Sequence, residues 1–341
     1  MSAKRLSIAE ALREAIRGEM RRDPRVFCIG EDIGIPGGWG GAFTVTLGLE
    51  QEFPDRMVNT PISEAGFTGV ALGAAMMGLR PIADVQYADF LFCAMDQVAN
   101  QVAKMRYMSG GRLEVPMVMR APVGVTGRGS QHAQNMETYF QPLPGIKIVC
   151  PATAYDAVGL LRAAVRDGNP VLMFEHKLLY GSKGARAETG SVDASSEIPD
   201  GDYTVPIGKG IVRREGSDVT IVATLLMMHR ALQAADLLAA EGMSAEIIDP
   251  RSLVPFDTEL LQASVAKTGR LVTVEESPKR GGLGAEIAAT AAEQMLDLLL
   301  APVCRVAAPN TPAPFSPPME RFYIPDAARI AAAAKKLVRM S

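Results

Sequence analysis

Thr60-Pro-Ile-Ser-Glu-Ala-Gly-Phe-Thr-Gly-Val-Ala-Leu-Gly73 reads as a strand end, a tight turn and the first turns of a helix. It sets one carboxylate, Glu64, between strand and helix, where open α/β sheets collect their ligands. The helix, read as Ala65 to Met77 with Gly78 as its stop, carries Gly66, Gly69 and Gly73 on roughly one face. Small residues at that spacing let another backbone approach closely. The segment thus predicts a parallel α/β sheet with a site at a subunit contact.

The alternation continues on both sides. Upstream, Ser7 and Glu10 form a capping-box pattern ahead of an apolar face at Ile8, Leu12, Ala15 and Ile16. Val26–Gly30 is a short buried strand. A glycine-rich acidic loop, 31–41, follows it, holds Trp39 and reads as mobile or ligand-facing. Downstream, strands are expected at Pro81–Gln86, Pro116–Arg120, Ile146–Cys150 and Pro170–Glu175, with helices at Ala94–Met108 and Tyr155–Arg166. Gly181–Asp202 is poor in large apolar residues and reads as a linker. A second α/β unit then has strands at Asp218–Ala223, Ser244–Asp249, Arg270–Glu275 and Cys304–Ala307. Its helices are expected at His229–Glu241, Gly284–Leu300 and Pro325–Val338. We place domains at 1–190 and 207–341, with 191–206 between them.

Composition excludes several classes. The 341 residues are 48% hydrophobic, enough for two cores, and a net charge of −3 gives no basic footprint for nucleic acid. No apolar run reaches the roughly 20 residues a membrane span needs. The basic residues near Met1 lack an apolar stretch behind them, so no signal peptide is expected. Cys28, Cys93, Cys150 and Cys304 form no CxxC pair, which argues against zinc and disulfides and for a reducing, cytoplasmic setting.

Few residues stand out chemically. From its dipeptide alone, Glu64 reads as a complement to the helix N-terminus, with Ser63 as cap. His132 sits in the polar glycine loop 124–134 and suits proton transfer; a loop histidine bonded to a carbonyl is the equal alternative. The backbone of Gly124–Gly129 could hold a phosphate, although it lacks the Walker lysine and hydroxyl. Tyr87 and Phe90 lie just past a strand end and read either as core or as a surface for a planar ring. His176 reads as structural or interfacial, and His229 as a residue without a special role at the start of a surface helix.

Taken in order, the motifs TPISEAGFTGVALGAAMMGLRPI, QYADFLFCAMDQ, AKMRYMSGG, SQHAQ, RDGNPVLMFEHKLLY, AEIIDPRSLVPFD, KTGRLVTVEE and PNTPAPFSPPMERFYIP resemble one family over essentially the whole chain. It is the beta subunit of the decarboxylase component of 2-oxo acid dehydrogenase complexes. WGGAF, FEHKLLYGSKG and PDGDYTVPIGK lean to its acetoin branch, with pyruvate and branched-chain dehydrogenases as alternatives. A stand-alone transketolase-like enzyme and a non-catalytic docking scaffold are the more distant readings.

The resemblance implies a transketolase-like fold: a pyrimidine-binding domain with a mostly parallel sheet flanked by helices, then a carboxy-terminal α/β domain. It implies thiamine diphosphate, with magnesium held by an alpha subunit. The family's GDG...N motif is missing here; Asp200-Gly201-Asp202 falls in the expected linker rather than after an expected strand. The implied assembly is a heterotetramer of two alpha and two beta chains that serves a lipoyl acyltransferase. Glu64 matches the glutamate that bonds the aminopyrimidine and promotes its imino tautomer. Ile62, Gln86 and Phe90 match residues around that ring, and His132 matches the histidine near substrate and lipoyl group, in SQHAQ where many relatives have AQHSQ. Met117, Ala164, Asp167 and Asn169 match backbone ligands of a potassium ion. Glu275, Glu276 and Glu286 are expected as surface acids that could meet a basic partner.

Overall fold

The structure is a computed structural model that describes residues 4–181 and 190–340. The chain divides into two compact units: residues 1–123 with 139–207, and residues 124–138 with 208–341.

In the first unit, β1 (Lys4–Leu6) leads into α1 (Ile8–Arg22). The capping box forms as expected: Ser7 Oγ accepts the Glu10 N–H, and the Ser7 N–H donates to Glu10 Oε2 at 2.9 Å. Leu12 and Ile16 are fully buried, where such a side chain contributes about 1.5–3 kcal/mol. Next come β2 (Val26–Glu31), β3 (Met57–Thr60), α2 (Glu64–Met76), β4 (Arg80–Asp84), β5 (Val118–Val123) and β6 (Lys147–Val149). α3 (Ala154–Arg166), which packs on α1, β7 (Val171–His176) and β8 (Ser196–Ile198) complete the unit. Its parallel strands run β6-β7-β5-β4-β2-β3. Gly30 is required for this register, because a Cβ there would lie 2.5 Å from the Asp84 carbonyl oxygen of β4.

The expected helix over Ala94–Met108 is interrupted. Gln97–Val102 is π-helical, with Ala103 N–H bonded to Val98 O at 3.0 Å. Val98 and Val102 are both buried, and a ladder Asp96–Asn100–Lys104 runs along this stretch. Of the expected linker, 182–189 lies outside the described residues. β8 in its second half pairs antiparallel with β1, and Val205 packs on Gly159 of α3.

The second unit contains β9 (Ile211–Arg214), β10 (Val219–Ala223), α4 (Leu225–Ala239), β11 (Ala245–Asp249), α5 (Thr258–Thr268) and β12 (Leu271–Pro278). It ends with α6 (Leu283–Gln294), β13 (Cys304–Ala308), α7 (Pro317–Tyr323) and α8 (Ala327–Val338). The sheet order is β13-β12-β10-β11-β9, parallel except for the edge strand β9. β9, α5 and α7 have no counterpart in the sequence reading. No helix among the described residues is long and apolar enough to cross a membrane.

Candidate functional site

Three neighbouring strand ends build the first part of the site. Glu31 closes β2 opposite Thr60 of β3, and β4 ends beside them at Asp84. Two residues past Asp84, Gln86 donates from Nε2 to the Glu31 carbonyl oxygen at 2.7 Å. Glu64 opens α2 immediately after β3. Ser63 is at the N-cap but makes no side-chain capping bond, while Glu64 stands in the first turn, where its charge complements the helix N-terminus as expected. The Glu64 carboxylate is half-buried and has no hydrogen bond or ion pair to any described residue.

Glu31 is a carboxylate the sequence reading missed. Burial raises its pKa first, and the charges of Asp32 and Glu64 raise it further, so Glu31 and Glu64 sense each other. Its signal was available: it is the last residue of a strand in a parallel sheet.

Phe90 lies in a short 3-10 turn and is half-buried, edge-on to Tyr87 with ring centroids 5.5 Å apart. Tyr87 meets Phe43 edge-on, and Phe43 stacks on Tyr180. Phe43 is buried just past the loop 31–41, which read as mobile or ligand-facing. That loop is tied by Thr46 Oγ1 to Ile33 O at 2.9 Å, while Trp39 projects with 65% exposure. Ile62 is 76% exposed on the same turn as Glu64.

Beneath these groups lies a buried ion cluster. Arg120 forks onto Glu175 (Nε–Oε1 2.8 Å, Nη2–Oε2 2.5 Å) and reaches Asp84 Oδ2 with Nη1 at 2.6 Å. Tyr180 donates its hydroxyl to Glu175 Oε2 at 2.6 Å. Lys177, also buried, places Nζ 5.1 Å from the Tyr87 ring centre.

His132 lies in the loop 124–138, which belongs to the second unit. The Val125 N–H donates to Glu276 Oε1 at 2.8 Å and the Gly127 N–H to Glu320 Oε1 at 2.7 Å. Those carboxylates occupy the backbone donors a phosphate would need, which removes the phosphate reading of Gly124–Gly129. Ser130 Oγ donates to the Ala313 carbonyl, and the His132 N–H to Gly129 O. Val125 and Ala133 are buried in a cluster with Ala308, Ala313 and Tyr323.

Comparison with known proteins places this geometry. The family description "Transketolase, pyrimidine binding domain" matches residues 4–183, and "Transketolase, C-terminal domain" matches 208–330. The chain is 46% identical to the acetoin:2,6-dichlorophenolindophenol oxidoreductase beta subunit of Cupriavidus necator, over 99% of this chain and 98% of the relative. It is 44% identical to a pyruvate dehydrogenase E1 component beta subunit of Oryza sativa (98% and 87% covered) and 43% identical to the 2-oxoisovalerate dehydrogenase beta subunit of Bacillus subtilis (97% and 98% covered). The chain belongs to this family of dehydrogenase beta subunits. A solved structure titled split gene transketolase, inactive beta4 tetramer, is similar in fold, with a TM-score of 0.78 and 26% identity over 98% of this chain and 99% of that one.

Other expected residues of the beta subunit fall as follows. Of the four expected cation-binding positions, Met117 O accepts the Val171 N–H, Ala164 O accepts the Asp167 N–H, and the Asn169 N–H donates to Asp167 Oδ1 at 2.9 Å. Arg80 Nη1 already lies 3.1 Å from the Asp167 carbonyl oxygen, and Lys147 Nζ 2.5 Å from its carboxylate. Asp202 pairs with Arg166 at 2.5 Å. No cluster of three or more His, Cys, Asp or Glu among the described residues is placed to hold a metal ion. His176 is buried, and its Nδ1 accepts the Leu178 N–H at 3.1 Å.

Glu275 and Glu276 are not surface acids: they are 2% and 3% exposed, and only Glu286 faces solvent. They belong to β12, whose last residues the second unit covers. Burial, with Glu137 second among the raising causes, pushes the Glu275 carboxyl up to about 7, against the opposing Gly284 N–H bond. The folded beta subunit therefore holds a proton between pH 4.5, the ordinary value, and about 7 that the unfolded chain has released. Stability from this group is full below the lower value and is lost as pH rises through the upper one. Between pH 5.5 and 8 the loss should be about 2 kcal/mol. Glu275→Gln, which keeps an acceptor for Gly284, should flatten that part of the curve; equal pH slopes for the two proteins in urea unfolding would contradict it.

Proposed function

We propose that the beta subunit supplies the pyrimidine half of a thiamine diphosphate site in an oxidoreductase acting on acetoin or a related 2-oxo acid, with a lipoyl group as acceptor. One observation carries this: the half-buried Glu64 carboxylate, unpaired among the described residues, at the carboxyl edge of a parallel sheet. Glu64 would hold the aminopyrimidine, with Gln86, Phe90 and Ile62 around the ring. When bound, the cofactor supplies a carbon nucleophile that can cleave a bond next to a carbonyl. The chain's own part is to hold a proton at Glu64, to exclude water with the aromatic row Phe90–Tyr87–Phe43, and to move a proton at His132.

The diphosphate and its magnesium are assigned to an alpha subunit, since Asp202 is already bound to arginine. Assembly is supported by α2. Its buried face holds Phe67, Ala71 and Leu72, yet Ile62, Gly66, Val70, Gly73 and Met77 form a second, exposed apolar row. An apolar row on both sides of a helix needs a partner. We assign that row to a contact with a second beta chain; the similar transketolase chain, titled as an inactive beta4 tetramer, is consistent with this. The chain alone should sediment as an oligomer and leave thiamine diphosphate and magnesium unbound in calorimetry, and should bind both once an alpha chain is added. Tight binding by the chain alone would favour a stand-alone enzyme. Gly69 lies off this row, since a Cβ there would meet Gln97 of the same chain, whereas a Cβ at Gly73 would meet nothing within 4 Å; a Gly73→Leu variant that assembles normally would remove the proposed contact. Among substrates, the acetoin branch leads on the 46% identity, and a panel of acetoin, pyruvate and branched-chain 2-oxo acids decides it.

A further inference from the structure

The loop 124–138 leaves the end of β5, yet its partners come from the far carboxy-terminal part of the chain. Both of its feet rest on β12. At the first, Val125 N–H donates to Glu276 Oε1 at 2.8 Å. At the second, Glu137 receives Ser277 Oγ at 3.4 Å and Asn135 Nδ2 at 3.3 Å. Between the feet, Gly127 N–H is held by Glu320 of α7, Ser130 by the Ala313 carbonyl, and Ala133 is buried against Ala308, Ala313 and Tyr323. Gly127 and Gly129 take left-handed backbone conformations that let the loop turn between these ties. Gln131 and His132 are the two residues between the tied Ser130 and the buried Ala133.

We propose that Glu276 and Glu320 are positioning residues for His132: two carboxylates of the carboxy-terminal unit that fix the loop's backbone so that the imidazole is presented in one place. Hydrogen bonds to charged acceptors are among the stronger ties a loop can have, and Glu276 makes this one from a buried position. The inference uses the role given to His132 above, but the tie itself is a statement about the loop.

The two are tested separately. Arg128 is exposed at the loop's crest and is a trypsin site. In the full assembly, Glu276→Ala should raise the rate of cleavage after Arg128 about tenfold, the amount expected from losing one charge-assisted bond. Other cleavage sites should keep their wild-type rates, as followed by intact mass. Glu276→Gln retains an acceptor oxygen for Val125 and should stay within about twofold of wild type. Wild-type cleavage in the alanine variant, or a glutamine variant as labile as the alanine one, would overturn the proposal. Should Glu276→Ala fail to fold, Glu320→Ala decides in its place, since its bond is at the surface: a few-fold faster cleavage after Arg128 supports the clamp and an unchanged rate overturns it. Turnover with a lipoyl acceptor is read in parallel. Both alanine variants should lower kcat with KM little changed. If His132→Ala leaves turnover intact, the role of His132 fails while the cleavage result still stands.

Discussion

Glu64→Gln should lower dye-linked turnover of the reconstituted enzyme by about 100-fold or more while leaving assembly and melting unchanged. A positioned proton-transfer group is typically responsible for about 10²–10⁴ in rate, and glutamine keeps the shape while giving up the proton-holding oxygen. Stability should not suffer, because no described residue bonds the carboxylate and Ser63 rather than Glu64 occupies the N-cap. A partly exposed position free of such ties usually moves stability by less than about 0.5 kcal/mol. The neighbouring Glu31 sharpens the expectation. Its raised pKa depends partly on the negative charge of Glu64, so neutralising Glu64 should let Glu31 ionise at lower pH. Glu31→Gln is the companion variant; a moderate loss there beside a large one at Glu64 would separate the acting carboxylate from its neighbour. Activity within a few-fold of wild type in Glu64→Gln would end the catalytic reading and leave the docking-scaffold alternative.

What the sequence revealed and what it hid follow from contact range. The Ser7–Glu10 capping box, the placement of Glu64 at a strand-to-helix turn and the alternation of strands and helices are all local, fixed by residues within about four positions of each other. The features that were hidden are long-range. Glu275 and Glu276 look like the polar end of a strand, but β12 ends under a loop drawn from residues 124–138, some 140–150 positions earlier; Val125 and Glu276 are 151 apart. The phosphate reading of Gly124–Gly129 failed for the same reason, since only the fold brings carboxylates to those backbone donors. Arg120 was read only as the last residue of an apolar strand, because its partners lie 36 and 55 residues away.

That arginine carries the second large effect. Arg120→Met should destabilise the first unit by about 3–5 kcal/mol, the usual result of removing one partner of a buried ion cluster. Methionine fills much of the space, so little of the loss is a cavity; the cost is the carboxylates left behind. Glu175 is 1% exposed and would keep only the Tyr180 hydroxyl of the bonds described above, while Asp84 would lose its guanidinium at the end of β4. Lysine should not rescue the site, because a single ammonium cannot fork onto Glu175 and reach Asp84 as well. Removing the charges together should. Asp84→Asn and Glu175→Gln combined with Arg120→Met leave no unpaired charge, and the triple variant should recover most of the stability lost by the single one. Function need not return with it. Gln86 is set by the end of β4, two residues beyond Asp84, so a stable triple variant with weakened thiamine diphosphate binding in the alpha–beta assembly is the expected outcome. Urea unfolding of the single and triple variants, with cofactor binding measured on each, tests the argument. A single variant within about 1 kcal/mol of wild type would show that the cluster neither holds the sheet nor supports the site above it.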